Sequence, residues 1–389
     1  MADEEKPYRV YRGGRAKGKV PVSRPERAPR GKDAPKSRPA QAPRKRKPRW
    51  GRRVGLTLGL LALLTLVWLV AGYFAFRSGV ANAHDRLPRG VSAGLTQQDG
   101  LLLSKPTQIL LLGTDGDATA ARADARRSDS IMIVRTDPGR HRLAYLSIPR
   151  DLRVEIPGQG TYKINSAFQL GGPTLAMKTV KALTGLEINH VVLVDFTNFR
   201  EVIDALGGVD VTVPKPILSN RFDCPYATQE RCSAWEGWRF RKGTQHMDGH
   251  RALVYSRVRE NRLDPADSDI SRGGRQQDVL EAMTGKLTSV GTFVRLPFIG
   301  GDLVKPLTTD LAPGQLLQLG WVKFRASTSR TLHCRLGGSP SSIGGESVLI
   351  GTEENVSVLS MFTGRSAPQP PLPGSGLYGP GCFVGRETK

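Results

Sequence analysis

The sequence predicts an α/β or α+β fold, in which helices flank a mixed central β-sheet, carried behind a single N-terminal transmembrane helix. Two observations predict it. From residue 107 onward, short apolar runs of strand length are interleaved with longer helical runs, which is the order of elements in a layered α/β domain. Near the N-terminus, one apolar run is long enough to span a bilayer. The chain has 389 residues, enough for one core of about 200–250 residues with appended segments.

Residues 1–53 form a basic tail. They contain 19 of the 57 lysines and arginines but only 5 of the 35 acidic residues, so they carry most of the formal net charge of +22. The tail is rich in proline and has few apolar clusters, so burial cannot offset the entropy of ordering it, and we expect it to be disordered. Such a tail binds either nucleic acid or an anionic membrane surface. The apolar run that follows favours the membrane, and no nucleic-acid partner is expected.

Val54–Phe76 is an uncharged apolar run of 23 residues, which as a helix can cross a bilayer core of about 30 Å. Trp50 and Tyr73 lie near its ends, as interfacial anchors do. Because lysines and arginines are concentrated before it, we expect a cytoplasmic N-terminus, one crossing of the plasma membrane and an extracellular remainder. A cleavable signal peptide, with residues 81–83 as its cleavage pattern, is the alternative. The lengths of the apolar run and of the basic region favour an uncleaved anchor.

The remaining sequence divides into a linker, a folded domain and a tail. Residues 77–106 have little periodicity and are predicted to be a juxtamembrane linker. Residues 107–365 contain the strand and helix patterns and are predicted to be the extracytoplasmic domain. Residues 366–389 begin with a stretch rich in proline and glycine and are predicted to be a loose tail, which Cys382 can tie back to the domain.

Strands open the predicted domain. Gln108–Gly113, Ser130–Arg135 and Leu143–Ile148 are short apolar runs typical of buried strands, and residues 137–140 between the last two have the composition of a turn. Pro173–Gly185 is predicted to be a helix because it begins with proline and ends with glycine. The later predicted elements are the helices Phe196–Leu206, Val279–Val294 and Pro313–Phe324 and the strands Val191–Val194, Val209–Val213, Ser347–Ile350 and Val356–Met361.

The chain has four cysteines, an even number that suits disulfides in an exported domain. Cys224 and Cys232 are eight residues apart in a polar stretch, and Cys334 and Cys382 flank the C-terminal region. The simplest pairing is 224 with 232 and 334 with 382, although four cysteines allow three connectivities. A zinc site is the alternative, but no pair has the spacing of zinc ligands.

The stretch Tyr255–Gln277 carries four arginines in a pattern that favours phosphate binding. Arg257 and Arg259 are two residues apart and would share one face of a strand. Arg272 and Arg275 are three apart and would share one face of a helix. Planar guanidinium groups that converge in this way bind phosphate, and suit a pyrophosphate better still. A solvated basic surface is the other interpretation of the same charges.

Acidic residues lie where they can complement these arginines. Asp269 is three residues before Arg272. Asp115 follows the first predicted strand and Asp129 leads into the second, so the two carboxylates converge if these strands are neighbours. Mg²⁺ in proteins is bound by a few carboxylates together with substrate oxygens, so Asp115 and Asp129 are candidate metal ligands. Ordinary use of aspartate in turns and helix caps is the alternative.

Two further cations lie in the motifs after the third strand. Arg150 ends that strand, with Asp151 beside it to orient its guanidinium, and Lys163 opens the motif that contains Asn165. Arg150 and Lys163 are candidate cations for the same phosphate oxygens. A surface ion pair is the alternative for Arg150. The occurrence of these motifs at successive strand ends favours one common anion site.

Seven motifs occur in order over residues 107–285: GTDG, RSDS, SIPRD, KINSAFQLGG, VDFTNFREVIDALGGVDV, YSRVR and DISRGGRQQ. In this order they resemble the LytR-CpsA-Psr family of cell-wall glycopolymer transferases. The resemblance implies a phosphotransferase that moves a teichoic-acid-like or other anionic or secondary wall polymer from a polyprenyl-pyrophosphate carrier to peptidoglycan, with a pyrophosphatase side activity. It also implies an apolar lipid tunnel between the sheet and the helices, and Mg²⁺ (or Mn²⁺) on the pyrophosphate.

The resemblance assigns roles motif by motif. Asp115 and Asp129 match metal-associated acidic positions, and Asp269 matches the acidic residue that opens the last motif. No general base is assigned, and Asp129 and Asp269 are the candidates. The implied catalytic residues are Arg150, Arg257, Arg259 and Asp269. The implied pyrophosphate-binding residues are Arg150, Lys163, Arg257, Arg259, Arg272 and Gln276, with Arg275 in the same motif.

An insert at residues 219–245 lies outside these motifs. It contains the first cysteine pair together with Trp235 and Trp238, whose aromatic faces suit a glycan, although a disulfide-stapled structural loop is the other interpretation. The alternative function for the whole chain is a membrane-anchored regulator, or a module that binds lipid-linked glycan in cell-wall biogenesis, without turnover. Mg²⁺-dependent pyrophosphatase activity would separate the two functions.

Overall fold

The structure is a computed structural model that describes residues 50–98, 100–114, 128–265, 267, 269–304, 306–373 and 378–385, without the side chains of residues 129, 269 and 270. The chain divides into two compact units, Met1–Leu56 and Thr57–Lys389. Of the first unit only residues 50–56 are described, as the opening turns of a helix. The elements that position the site all lie in the second unit.

The described residues form helices and strands in alternating blocks. The helices are α1 (Trp50–Asp85), α2 (Arg89–Gly94), α3 (Ser166–Thr184), α4 (Phe196–Ala205), α5 (Gln229–Ala234), α6 (Gly249–Arg257), α7 (Asp269–Leu287), α8 (Val290–Val304), α9 (Pro313–Arg325) and α10 (Glu354–Thr363). The strands are β1 (Thr107–Thr114), β2 (Ser128–Asp137), β3 (Arg142–Ile148), β4 (Leu152–Ile156), β5 (Gly160–Lys163), β6 (His190–Asp195), β7 (Val209–Val213), β8 (Ile217–Leu218), β9 (Arg239–Phe240), β10 (Gly243–Met247), β11 (Thr308–Thr309), β12 (Leu332–Arg335), β13 (Gly338–Ile343), β14 (Glu346–Gly351) and β15 (Gly381–Val384).

A mixed β-sheet forms the centre of the domain, as the sequence predicts. Its strand order is β11-β6-β1-β2-β3-β12-β15. The pairs β1–β6 and β3–β12 are parallel, and the other neighbours are antiparallel. A smaller sheet has the order β13-β14-β4-β5, and β7 pairs with β10 and β8 with β9. The mixed pairing follows from connections that are short turns in some places and helical crossovers in others.

Helices cover both faces of the central sheet. On β1, Leu110 and Leu112 belong to a core cluster with residues of α3 and α10. The alternate residues Ile109 and Leu111 belong to a cluster with residues of α7 and α9. Because both faces are buried, the central strands are continuous apolar runs in the sequence, without the polar alternation of a half-exposed sheet.

Most predicted elements are present within a few residues of their predicted bounds, but some are of the wrong type. Val356–Met361 was predicted to be a strand and lies in helix α10. Its buried residues Val358, Met361 and Phe362 are three and four positions apart, the spacing of one helical face. Gly364 ends the helix at φ 80°. The β-branched residues in this run favour a strand, and the helical burial pattern overrides them.

Two helices differ from their predicted bounds because of local backbone geometry. α3 begins at Ser166, seven residues before the predicted start, and is interrupted at Gly171 and Gly172. Gly172 has φ 62° and ψ −162°, a conformation open to glycine, so the predicted helix at Pro173 is the segment after the kink. The predicted helix Val279–Val294 is divided between α7 and α8.

The N-terminal helix is longer than the predicted span. α1 contains a window of 18 residues with mean hydropathy 2.4 and no buried residue, so its length and composition allow it to cross a membrane. It continues to Asp85, through the first part of the segment predicted to be a linker, and α2 follows four residues later. Val80, Ala83 and Val91 are buried in the cores of the domain. Residues 77–106 are therefore largely built into the fold.

Candidate functional site

An apolar cavity lies between the central sheet and the helices α4, α6 and α7. Its volume is about 390 Å³. Its walls come from the sheet and from helices packed on it, and the sequence resemblance predicts an apolar tunnel between the two. The apolar wall residues are Leu111 and Leu112 of β1, Met132 of β2, Val192 and Val194 of β6, Phe196, Phe199 and Val202 of α4, Phe222, Leu253 of α6, Leu280 and Met283 of α7, and Leu307.

Predicted site residues form a basic part of the same wall. Arg257, Arg259, Arg272 and Gln276 all line the cavity. The strand predicted for Arg257 and Arg259 is wrong, because Arg257 is the last residue of helix α6 and Arg259 follows in a loop. Asp248 caps α6 by accepting a hydrogen bond from the Arg251 amide, which fixes where the helix begins. The two arginines still meet at one cavity because the chain turns out of the helix between them.

Arg257 is held by aromatic rings and by one carboxylate. Its guanidinium lies 4.5 Å from the ring centroid of Phe196 and 5.5 Å from that of Phe222. It forms an ion pair with Asp223, next to the disulfide residue Cys224. The cation–π contacts position the guanidinium at the cavity wall, and the carboxylate stands where a bound phosphate oxygen would be attracted.

Arg272 and Gln276 lie one turn apart on α7 and therefore project from one side of that helix. Arg272 is buried, with 6% of its surface exposed. Gln276 accepts a hydrogen bond of 2.8 Å from the Ser130 hydroxyl on β2. A Cβ at Gly273 would lie 3.3 Å from Ser147 Cβ, so the small residue lets α7 approach the sheet closely. The register of α7 on the sheet thus aims Arg272 and Gln276 into the cavity.

Arg275 is buried and held by contacts within the protein. Its guanidinium forms a 2.8 Å ion pair with Asp267 and donates to the Val258 carbonyl, and both charged side chains are at least 95% buried. Burial raises the pKa of Asp267, but Arg275 and a hydrogen bond from Ser271 outweigh it, and the pKa is lowered overall. Arg275 also lines a second cavity described below, but its charge is compensated by Asp267. Its main effect is to hold α7 against the end of α6.

Arg150 and Lys163 share a carboxylate beside this cavity. Arg150 Nε donates to Asp151 Oδ2 at 3.3 Å, and Lys163 Nζ lies 3.4 Å from Asp151 Oδ1 and 3.7 Å from Glu346 Oε2. Arg150 lines a second cavity of about 960 Å³, and Arg272 lines both cavities. Arg150 and Arg272 therefore line the same second cavity. Lys163 lines neither cavity and is held at the adjacent ion pair.

The acidic candidates Asp115, Asp129 and Asp269 fall wholly or partly outside the described residues. Asp115 and the side chains of Asp129 and Asp269 lie outside the described residues. β1 and β2 are antiparallel neighbours, and Thr114, just before Asp115, pairs with Ser128, just before Asp129. The condition under which the two carboxylates were expected to converge, that these strands are neighbours, therefore holds for the backbone. Within the described ranges, no group of three or more His, Cys, Asp or Glu side chains could hold a metal ion.

The insert at 219–245 contributes to the cavity wall. Phe222 and Asn220 line the cavity, and Trp238 Nε1 donates to the Phe222 carbonyl at 3.0 Å. Trp235 packs edge-to-face on Trp238, with ring centroids 5.4 Å apart. Disulfides join Cys224 to Cys232 and Cys334 to Cys382, the pairing that the sequence favours. The tryptophans therefore support the segment that carries Phe222 and Asp223.

Asp223 and Asp267, which pair with Arg257 and Arg275, are two acidic residues that were not predicted. Asp267 lies eight residues before Arg275, in the loop that leads into the last motif, so its position beside that motif is a usable signal. Asp223 is 34 residues from Arg257, outside every motif, and nothing local in the sequence connects the two.

The fold and this site define a class of protein: a layered α/β domain on a membrane anchor, with an apolar cavity whose wall carries several arginines. Such a cavity suits an amphiphile with an anionic head group. The LytR_cpsA_psr family model matches residues 73–361, most of the chain. This chain belongs to that family.

Individual relatives agree with the family match. The polyisoprenyl-teichoic acid–peptidoglycan teichoic acid transferase TagV of Bacillus subtilis is 31% identical over 286 residues, 71% of this chain and 69% of TagV. The regulatory protein MsrR of Staphylococcus aureus is 33% identical over 214 residues, 54% of this chain and 58% of MsrR. A structure of TagT bound to LIIa-WTA is similar with TM-score 0.52 and 28% identity, covering 68% of this chain and 92% of TagT. The crystal structure of TagV from B. subtilis is similar with TM-score 0.54 and 26% identity, covering 67% of this chain and 96% of TagV.

Proposed function

We propose that this chain is a phosphotransferase that moves an anionic or secondary wall polymer from a polyprenyl-pyrophosphate carrier to peptidoglycan outside the membrane. The observation that carries the proposal is the placement of Arg257, Arg259 and Arg272 in the wall of one apolar cavity. An apolar cavity accepts a lipid chain, and arginines at its wall accept the phosphates attached to that chain. Membership of a family that contains transferases such as TagV supports this proposal.

The reaction is a phosphoryl transfer, in which positioning and neutralisation of charge supply most of the catalysis. A sugar hydroxyl of the acceptor attacks the phosphorus on the glycan side. A new P–O bond forms, the bond to the bridging oxygen breaks, and polyprenyl phosphate leaves with the electron pair. Arg257, Arg259 and Arg272, together with Arg150, which lines the second cavity with Arg272, stabilise the charge that develops on the leaving phosphate. The acceptor proton needs a base, and Asp129 and Asp269 are our candidates.

We also propose that the reaction depends on Mg²⁺ or Mn²⁺. Asp115 and Asp129 would hold the ion, since carboxylates are the ligands that Mg²⁺ prefers and the residues before them pair across β1 and β2. The ion would supply further charge neutralisation on the pyrophosphate. Removal of divalent metal with a chelator should abolish transfer, and added Mg²⁺ should restore it. Asp129→Asn should weaken that restoration without changing the melting temperature.

Substitution of the arginines tests the proposal. Arg257→Ala and Arg259→Ala should each lower the rate of transfer from a polyprenyl-pyrophosphate donor by about 100- to 1,000-fold, because each removes a donor aimed at developing charge. Arg330→Ala, which removes an exposed arginine outside both cavities, is the matched control. Circular dichroism should show all three variants folded. Normal transfer by either cavity variant would show that the site is misassigned.

The alternative is a regulator that senses lipid-linked precursor without turning it over, and the name of MsrR as a regulatory protein is the observation that favours it. Both functions use the same cavity, so binding does not separate them. Metal-dependent hydrolysis of a polyprenyl pyrophosphate by the purified chain, lost in Arg257→Ala, would decide for the transferase. Binding of that lipid with no hydrolysis and no transfer would decide for the regulator.

A further inference from the structure

Helix α8 carries large apolar side chains that face solvent. Val290 is 79% exposed, Phe293 53%, Val294 58% and Phe298 81%. Isolated exposed apolar residues are common, but four on one short helix form a continuous patch of the kind that marks a contact surface. The opposite side of the helix is packed, because Thr292, Gly300 and Leu303 are buried. The patch is therefore one face of an otherwise well-packed helix.

The same helix packs along the outer part of the transmembrane helix α1. Trp68 Nε1 donates to the Val294 carbonyl at 3.2 Å, and its ring lies 4.9 Å from that of Phe293. A Cβ at Gly72 would lie 3.4 Å from Pro297 Cγ. Small residues on facing sides of two helices let their backbones approach, as in helix pairs within membranes.

The contacts continue in order towards the outer end of both helices. Gly300 lies against Phe76, and a Cβ at Gly79 would lie 2.8 Å from the Gly301 carbonyl oxygen. Residue numbers rise together on the two helices, so α8 runs parallel to α1. The N-terminal end of α8 is therefore the end nearer to the bilayer centre.

The depth of the contact follows from the length of the span. With about 1.5 Å per residue, 20 residues from Val54 cross the bilayer core and end at Tyr73. Trp68 lies five residues before Tyr73, roughly 7 Å inside the outer boundary by the same rise. Phe293 and Val294 contact Trp68 and therefore lie at that depth. Interfacial helices bury their apolar faces at about this depth, roughly 5–10 Å.

The charged residues of α8 fit this placement. Its acidic residue, Asp302, lies near the outer end, at the level of the head groups. Its basic residue, Arg295, has a guanidinium nitrogen 3.3 Å from where a Cβ of Gly207 would be, so it points to the turn after α4. The exposed patch itself, Val290, Phe293, Val294 and Phe298, has no charged member.

We propose that α8 is a second membrane element, which inserts its exposed apolar face into the outer leaflet beside α1. The occupant of the patch is the acyl-chain region of the bilayer, since α8 is packed against a helix that already crosses it. Neither the reaction nor the identity of the glycan enters this inference, which goes beyond the proposed function.

The test uses depth-dependent quenching in the full chain. All four cysteines are in disulfides, so an introduced cysteine is the only free thiol. Val290→Cys and Phe298→Cys are labelled with the fluorophore NBD and reconstituted in phosphatidylcholine–phosphatidylglycerol vesicles that contain spin-labelled lipids. Tyr162→Cys on β5, where the native residue is 50% exposed, is the matched control.

Both α8 positions should be quenched at least threefold more strongly than the control. Spin labels deep in the acyl chains should quench position 290 more than position 298, because α8 is parallel to α1. Quenching at both positions no stronger than at Tyr162→Cys would overturn the proposal. The fluorophore could instead be shielded from water without being quenched by the spin labels, with a shielding that increases with protein density. That result would assign the patch to a contact with a second copy of the chain and would also overturn the proposal.

Discussion

Arg257 is positioned by two aromatic rings and paired with one carboxylate. Its guanidinium rests on Phe196 and Phe222, which fixes its direction, while Asp223 neutralises it. Both partners of the ion pair remain partly exposed, with side-chain exposures of 30% and 46%, so the pair is weak and exchangeable. A phosphate that binds Arg257 would compete with the carboxylate of Asp223 for the same guanidinium charge.

Loss of this carboxylate should tighten the binding of an anion. Asp223→Asn removes the competing charge and keeps the shape, so inorganic pyrophosphate should bind about two- to fivefold more tightly, the range of an exposed ion pair. Isothermal titration calorimetry measures the change. Asp210→Asn, which removes an exposed carboxylate paired with His246, is the control and should leave the affinity unchanged. Weaker binding in Asp223→Asn would show that Asp223 assists the anion.

The buried pair Arg275–Asp267 should matter for stability. Arg275→Met leaves the buried Asp267 carboxylate with only the longer 3.9 Å ion pair to Lys215 among the described residues, so the free energy of unfolding should fall by about 3 kcal/mol, the lower end of the range for a broken buried pair. The double variant with Asp267→Leu should recover part of this loss, because neither charge is then left unpaired. Urea denaturation of the two variants measures both effects. A single variant as stable as the native chain would show that the pair is dispensable.

The same pair gives stability a pH dependence of known sign. The pKa of Asp267 is lowered in the folded state, so its contribution is complete above the unfolded value of about 4. Acidification through the folded pKa, below that value, protonates the carboxylate and removes the contribution. In Asp267→Asn, the loss of stability on acidification below about pH 4 should be smaller than in the native chain.

At the scale of the elements, the two disulfides should differ in what they stabilise. Cys334–Cys382 closes a 48-residue separation and ties β15 to β12, whereas Cys224–Cys232 spans 8 residues in the insert. When each cysteine pair is replaced by serine, loop entropy predicts that the free energy of unfolding falls by about 4 kcal/mol for 334–382 and by about 2.5 kcal/mol for 224–232. Thermal melts of the two double variants measure the order of the losses. The reverse order would show that strain or residual structure dominates.

The elements that could be predicted from the sequence are those whose signal is local. The central strands are short apolar runs because both faces are buried, and Gly185 ends α3 in the left-handed conformation that favours glycine. Val356–Met361 was predicted wrongly because β-branched residues are common to strands and buried helices. The strand at Arg257 was wrong because alternation of charge over five residues also fits the last turn of a helix.

The site residues, like the elements, could be predicted where their signal is local and not where it depends on distant contacts. Arg257, Arg259, Arg272 and Gln276 belong to contiguous motifs, and these could be predicted to meet. The roles of Arg275 and Asp223 depend on contacts with distant segments, which no local pattern encodes. A charge pattern in the sequence indicates that an arginine binds an anion. Only its packing shows whether that arginine faces a cavity or pairs with a buried carboxylate.

The whole molecule should have one orientation in the membrane. The basic residues before α1 predict a cytoplasmic N-terminus, and disulfides in the domain suit an oxidising exterior. In intact protoplasts, external protease should remove an epitope placed after Lys389 and spare one placed before Met1. Permeabilised protoplasts, in which both epitopes should be lost, are the control. Protection of the C-terminal epitope in intact cells would reverse the assignment.

The continuity of α1 into the domain fixes the distance of the domain from the membrane. The helix runs without a break to Asp85, and Val80 and Ala83 are part of the core that also contains Tyr255, two residues before Arg257. Over the described residues 57–98, no free tether separates the domain from α1, so the domain sits directly on this helix. For the transferase and the orientation proposed above, only glycan strands within one domain's height of the membrane would be in reach, so we expect the polymer to be added to newly made wall, and older layers to carry only what they received when they were innermost.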